Sequence, residues 1–75
     1  MPPVATLSPV KEARIRALLT LRALERLAGV SYFTLRRAEM GIRVSPLTQE
    51  KITRALATAL GEDLRREELF GGVAA

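Results

Sequence analysis

The chain has 75 residues, with 12 lysines and arginines against 8 acidic residues, which gives a formal net charge of +4. A chain of this length forms one domain at most, with a small hydrophobic core. Because it has no cysteine and no histidine, disulfides, imidazole-based catalysis and nearly all structural zinc sites are excluded. We therefore expect no enzyme, no cofactor and no metal site. The acidic residues of the C-terminal part are interpreted as a solvated helix face: Glu62, Asp63, Glu67 and Glu68.

No stretch of the sequence has the pattern of a targeting or membrane segment. The first residues lack the basic start and the sustained apolar run of a signal peptide. The run Ala17-Leu18-Leu19 is far too short to cross a bilayer. We therefore expect a soluble cytoplasmic protein that does not bind membranes.

Capping signals predict the first two helices. Residues 1–7, with two prolines and no charge, are expected to form a flexible arm, and Ser8-Pro9 is typical of a helix start. The apolar stripe of this helix follows at helical spacing: Val10, Ala13 and Ala17, with Ile15, Leu18 and Leu19 beside it. The second helix is expected to run from the cap Thr20 to about Leu27 and to end at Gly29. Its inward residues are predicted to be Leu24, Leu27 and Ala28.

Three more helices complete the predicted fold. Ser31 caps a third helix over residues 32–40, which Gly41 closes, and residues 42–45 form a loop. Ser45-Pro46 opens a fourth helix that runs to Leu60 and ends at Gly61. Its apolar face comprises Ile52, Ala55, Leu56, Ala59 and Leu60. A last helix is expected from about Leu64 to Phe70, with Asp63 as its cap, before a tail over 71–75. The prediction is an all-α, single five-helix domain over residues 8–70.

Residues 20–41 combine a helix, a three-residue turn through Gly29 and a second helix. So short a connection makes the two helices cross at a steep angle, as in a helix-turn-helix motif. The second helix of such a motif can enter the major groove of DNA.

The run Leu27-Ala-Gly-Val-Ser-Tyr-Phe-Thr-Leu-Arg-Arg-Ala-Glu-Met-Gly41 resembles the helix-turn-helix of the phage repressor and Cro family, also called XRE-like. The resemblance extends over most of the chain. It implies a lambda-repressor-like fold and a repressor-like transcriptional regulator that binds double-stranded DNA, as a homodimer on a two-fold operator. It also implies an ion pair between Arg14 on the first helix and Glu39 on the third.

Candidate base contacts lie on the outer side of the third helix. If Leu35 and Ala38 are buried, a rotation of about 100° per residue places Tyr32 on the flank of the opposite side. That side comprises Phe33, Arg36, Arg37 and Met40. Arginine can bind guanine and an apolar ring can contact a thymine methyl. The resemblance implies base contacts by the first two residues of this helix and by a later one, which here are Tyr32, Phe33 and Arg37, and Arg36 is the fourth candidate. The alternatives are that Phe33 packs on the second helix or on a partner protein, and that the arginines form a solvated face.

Candidate phosphate contacts surround this helix. The start of the second helix offers backbone N–H groups and Thr20, and Arg22 and Arg26 lie on its outer side. Thr34 and Arg43 match family positions that often reach phosphate, although Thr34 also suits a local hydrogen bond. Residues 1–45 carry a net charge of +5 and residues 46–75 a net charge of −1, as a basic footprint on one half requires.

Two positions depart from the family pattern. The first residue of the second helix is often Gln and is here Leu21, and the fifth residue of the motif is usually Ala and is here Glu25. The longer side chain of Glu25 is expected either to push the helices apart or to fold outward toward Arg36.

An alternative function is a helix-turn-helix fold reused as a protein-interaction module, with a toxin or RNA polymerase as partner. A possible apolar patch supports it: Leu21, Tyr32, Phe33 and Met40. A homodimer seam is also open, because Leu64, Leu69 and Phe70 suit either the monomer core or such a seam.

Overall fold

The computed structural model describes residues 8–71, which form five helices and, within that range, no strand. The helices are α1 (Pro9–Arg16), α2 (Leu21–Ala28), α3 (Tyr32–Glu39), α4 (Pro46–Leu60) and α5 (Arg66–Phe70). The prediction of an all-α, five-helix fold is confirmed. The expected arm over 1–7 and residues 72–75 of the expected tail lie outside the described residues. Among the helices of residues 8–71, none combines the length and apolar composition needed to cross a membrane.

Hydroxyl side chains cap the first four helices, as predicted. Each cap oxygen accepts a hydrogen bond of 3.0–3.2 Å from the backbone N–H three residues later. This bond satisfies one of the four N–H groups that the start of a helix leaves without a partner. The four caps are Ser8, Thr20, Ser31 and Ser45. Gly29 and Gly61 end α2 and α4 in the left-handed conformation, with φ of 70° and 69°, which glycine adopts without a steric cost.

The start of the last helix differs from the prediction. We expected Asp63 to cap a helix from about Leu64, but α5 begins at Arg66 and its N-cap is Arg65 in extended backbone. A carboxylate oxygen of Glu68 accepts a hydrogen bond of 3.1 Å from the Arg65 backbone N–H. Leu64 packs against the core from the extended segment before the helix. The cap is thus supplied from within the helix rather than by the acidic residue that precedes it.

All five helices contribute to one core. α2 packs against α3 and α4, and α1 packs against α3, α4 and α5. The most deeply buried side chains come from four helices: Val10, Leu24, Leu35, Ile52 and Leu56. Leu69 of α5 is buried beside them, with Leu64 and Phe70 packed against the cluster. Leu64, Leu69 and Phe70 therefore contribute to the monomer core, and Leu64 and Phe70 keep part of their surface exposed.

Two residues predicted to face inward are exposed. Leu27 is 58% exposed, and Ala59 is also exposed. Both line an open groove of about 380 Å³ between α2 and α4, so one side of each remains in contact with water. The buried Thr53, which the apolar pattern did not include, donates its hydroxyl proton to the Gln49 carbonyl at 2.8 Å. This bond allows a polar residue to lie in the core.

Leu18, in the turn between α1 and α2, has a φ of 60° and is 91% exposed. The Leu19 N–H next to it donates to the Arg14 carbonyl at 3.1 Å, and this helix end usually places glycine where Leu18 lies. A left-handed conformation costs an L-residue about 1–2 kcal/mol.

We expect Leu18→Gly to raise the free energy of unfolding by about 0.5–1 kcal/mol, because it removes this strain without removing buried surface. Urea denaturation followed by circular dichroism measures the change. The matched control is Ile15→Gly, inside α1, which should lower the free energy by about 1 kcal/mol. A loss of stability in both variants would contradict the account of Leu18.

Candidate nucleic-acid interface

The outward side of α3 carries the residues that the helical rotation predicted. Leu35 and Ala38 are buried, whereas Phe33 is 76% exposed and Met40, at the end of the helix, is 67% exposed. Arg36 and Arg37 are exposed on the same side. We call these four residues the α3 face: Phe33, Arg36, Arg37 and Met40. This face does not contribute to the buried core and is available for a partner molecule.

An aromatic pair occupies the first turn of α3. The rings of Tyr32 and Phe33 meet edge to face, with centroids 5.9 Å apart and planes at 83°. The Arg22 guanidinium lies 4.3 Å from the centroid of the Tyr32 ring, within the range of a cation–π contact. Tyr32 is half-buried and therefore links α2 to Phe33. The sequence did not predict the contact between Arg22 and Tyr32, since it depends on how α2 crosses α3.

The expected pair between Arg14 and Glu39 is formed and joins α1 to the end of α3. The Arg14 Nε and Nη2 atoms donate to the two carboxylate oxygens of Glu39 at 2.5 and 3.3 Å. The two side chains are only 14% and 8% exposed. Arg14 Nη1 also donates to the Leu19 carbonyl at 2.9 Å. One guanidinium thus fixes α3 and the turn before α2 relative to α1.

The two departures from the family pattern have local explanations. Leu21 is partly buried and packs against the core, so it adds apolar contact where a glutamine would be polar. The Glu25 carboxylate accepts a hydrogen bond from Arg22 Nη1 at 3.1 Å. The expectation that it folds toward Arg36 is wrong, because Arg22 is three residues away on the same helix and reaches it first.

The candidate phosphate contacts include two threonine hydroxyls. Thr20 accepts the Ala23 N–H at 3.0 Å, and Thr34 accepts the Ser31 hydroxyl at 2.9 Å. Thr20 is the acceptor of a backbone N–H, which leaves its own hydroxyl proton available to an external oxygen, whereas the Thr34 hydroxyl is engaged in a local bond with Ser31. Thr20 is exposed and Thr34 is half-buried. The two hydroxyls lie at the starts of α2 and α3 respectively.

Arginines in the first half of the domain divide into two groups. Arg14, Arg16 and Arg22 each pair with a carboxylate. Within residues 8–71, the other four make no ion pair and no side-chain hydrogen bond: Arg26, Arg36, Arg37 and Arg43. All four are exposed. Two of them belong to the α3 face, one lies on α2 and one in the loop after α3. Arg54, Arg65 and Arg66 also make no ion pair within residues 8–71, so free arginines occur both at α3 and at the C-terminal helices.

The apolar patch expected for a protein partner is smaller than predicted. Leu21 belongs to the core periphery and Tyr32 is half-buried. Only Phe33 and Met40 of the four proposed members are largely exposed.

Two of the acidic residues near the C-terminus are engaged, one across the fold and one within its own helix. Glu62 pairs with Arg16 of α1, and Glu68 caps the backbone of Arg65. Within residues 8–71 no three carboxylates come close enough together to hold a metal ion. The open groove between α2 and α4 includes none of the candidate DNA contacts.

Comparison with protein-family models, curated proteins and solved structures finds no match to this chain.

Proposed function

We propose that the protein is a sequence-specific DNA-binding transcriptional regulator of the lambda-repressor-like helix-turn-helix type. In this proposal α3 enters the major groove of double-stranded DNA. The observation that carries it is the pair of exposed guanidinium groups of Arg36 and Arg37, which have no ion-pair partner within residues 8–71. They lie on a helix that follows α2 after a three-residue turn. Arginine binds O6 and N7 of guanine through two parallel hydrogen bonds, which no other base offers in the same arrangement.

The remaining candidates take positioning roles. Arg26 and Arg43 flank α3 with free guanidinium groups, and contacts of this kind to phosphate set the register without reading sequence. Thr20 and the free N–H groups at the start of α2 suit a phosphate oxygen, because a helix N-terminus attracts anions. Arg22 carries less free charge, since Glu25 and the ring of Tyr32 already contact it. The proposed division is base reading by α3 and phosphate binding around it.

A homodimer on a two-fold operator extends the proposal. Recognition helices of such dimers bind half-sites one helical turn apart, at about 34–36 Å. The described part of one chain measures 35 × 28 × 25 Å, a size compatible with one protomer per half-site. Sedimentation equilibrium, with and without an operator duplex, tests this extension.

Phe33 and Met40 favour a second candidate, a protein-interaction module. Exposed apolar side chains that share one side of a surface often mark interfaces with other proteins, and these two lie on the same side of α3. The two candidates differ in what they predict for DNA. A protein-interaction module has no reason to distinguish one duplex from another.

Selection from a pool of random duplexes separates the two candidates. The regulator should enrich one defined motif, and competition with unrelated DNA should leave its specific complex at least about a thousandfold tighter. If no motif is enriched and all binding disappears near 0.15 M salt, the regulator proposal fails and the protein-interaction module remains.

The phosphate role of Arg43 makes a quantitative prediction. Each phosphate that a cation neutralises contributes about −0.9 to the slope of log K against log salt concentration. We expect Arg43→Ala to make that slope less steep by about one and to weaken binding to all duplexes equally, without changing the enriched motif. The control is Arg54→Ala on α4, which removes the same charge away from α3 and should keep the slope. A changed motif in Arg43→Ala would show that this residue reads bases.

A further inference from the structure

The α3 face has an apolar group at each end and cations between them. Phe33 and Met40 are seven residues apart, and both are exposed opposite the buried Leu35 and Ala38. At about 100° per residue they lie within about 20° of each other around the helix axis. Arg36 and Arg37 project to either side of the line that joins them. With a rise of about 1.5 Å per residue, the two apolar groups are separated by about 10 Å along the helix.

The position of the first apolar group is restrained before any partner binds. The Phe33 ring rests edge to face against Tyr32, and the Arg22 guanidinium covers the Tyr32 ring. A restrained ring loses little conformational entropy on binding, so little of the free energy of its contact is offset by that loss. An exposed phenylalanine held in this way is suited to meet one apolar group at a defined place.

The major groove offers one apolar group, the C5 methyl of thymine, and guanine is the base that arginine binds best there. Base pairs rise about 3.4 Å along the duplex. Because the groove runs obliquely to the duplex axis, a helix segment of about 10 Å spans about two to three base-pair steps. The order of side chains along α3, apolar then cationic then apolar, therefore matches a base order of thymine, guanine and thymine along the groove.

We propose that the half-site contains two thymine methyl groups, two to three base pairs apart, on either side of a guanine. Phe33 contacts one methyl, Met40 contacts the other, and Arg36 or Arg37 binds the guanine. This inference rests on the proposed function and names the DNA composition that the α3 face selects.

Deoxyuridine substitution tests the proposal directly, because uracil pairs like thymine and lacks only the methyl group. The duplex is the one enriched by selection, and fluorescence anisotropy measures the dissociation constant. Losing one buried methyl should weaken binding about fourfold. Replacing both thymines should weaken it about fifteenfold, if the two contacts act independently.

Protein variants assign each methyl to its side chain. Phe33→Ala should bind duplexes with thymine or uracil equally well at one of the two positions, and should keep the fourfold difference in dissociation constant at the other. Met40→Ala should show the same behaviour with the two positions exchanged. Both side chains are exposed, so these variants keep the core. Leu47→Ala, which removes an exposed apolar side chain at the start of α4, is the control and should keep both differences.

The outcomes distinguish the proposed thymine contacts from the proposed DNA-binding function. An enriched motif whose thymines can be replaced by uracil without loss overturns this inference and leaves the regulator standing. Two variants that lose sensitivity at the same thymine also overturn it. Selection that enriches no motif overturns the regulator and this inference together.

Discussion

Arg37→Ala should weaken binding to the selected duplex by about tenfold to a hundredfold, the value of one two-bond arginine–guanine contact. Binding to unrelated DNA should fall much less, because there the side chain supplies only charge. Arg37 is exposed and without an ion-pair partner in residues 8–71, so its removal leaves no buried group unsatisfied. Anisotropy titrations with the selected and a scrambled duplex measure both effects.

Two matched variants show whether the preference for the selected duplex depends on the shape of the Arg37 guanidinium or on its charge. Arg37→Lys keeps the charge but lacks the planar group that makes two parallel bonds, so it should lose selectivity and keep most non-specific affinity. Arg54→Ala removes the same charge from α4 and should leave the ratio between the two duplexes unchanged. If Arg37→Lys selects the motif as well as the original protein does, Arg37 does not read a base.

Arg14→Ala should lower the free energy of unfolding by about 2–4 kcal/mol. The Glu39 carboxylate, 8% exposed, would be left nearly buried without its partner, and the Leu19 carbonyl would lose its donor. Domains are stable by about 0.05–0.15 kcal/mol per residue, so this loss is a large part of the total for 75 residues. Thermal unfolding should shift down by about 10–25 °C.

The exposed pair between Arg16 and Glu62 supplies the control. Arg16 lies on the same helix as Arg14, but its side chain is 49% exposed, and exposed pairs contribute only about 0–1 kcal/mol. Arg16→Ala should therefore leave the melting temperature nearly unchanged. A double-mutant cycle of Arg14 and Glu39 isolates the coupling between the two charges. If Arg14→Ala and Arg16→Ala lower the free energy of unfolding equally, the burial of the Arg14–Glu39 pair adds nothing to its contribution.

Local chemistry explains why much of the fold was predictable. A hydroxyl that accepts the N–H three residues later is a short-range interaction, so Ser8, Thr20, Ser31 and Ser45 mark helix starts in the sequence itself. The last helix was harder to predict, because Asp63 and Glu68 both suit a capping role. In the structure Glu68 bonds the Arg65 N–H, and Leu64 packs against the core from the extended segment before the helix.

The inward residues show where periodicity becomes insufficient. Leu24 and Leu27 both fit the apolar stripe of α2, yet the first is fully buried and the second is 58% exposed. Rotation about a helix axis predicts which side a residue occupies, but not how far the neighbouring helix covers that side. The groove between α2 and α4 leaves Leu27 and Ala59 partly uncovered.

In the candidate site, too, some features were predictable from the sequence and others were not. The exposure of Arg36 and Arg37 follows from their positions in α3 relative to Leu35 and Ala38. The contact of Arg22 with Tyr32 does not, because it depends on how α2 crosses α3, and the bond of Arg22 to Glu25 on the same helix depends on the rotamers of two long side chains.

By itself, the sequence determined a small basic chain of five helices, the caps of the first four, and a third helix with arginines on the side opposite Leu35 and Ala38. These features depend on composition and on interactions within about four residues along the chain. Only the tertiary structure showed that Arg16 is neutralised, because it meets Glu62 across 46 residues. The pair of Arg14 with Glu39, 25 residues apart, was expected from the family resemblance and not from local pattern. Within residues 8–71 the fold leaves seven arginines without an ion-pair partner, and four of them lie on α2, on α3 or in the loop after α3. Which arginines these are depends on distances that only the packed helices set.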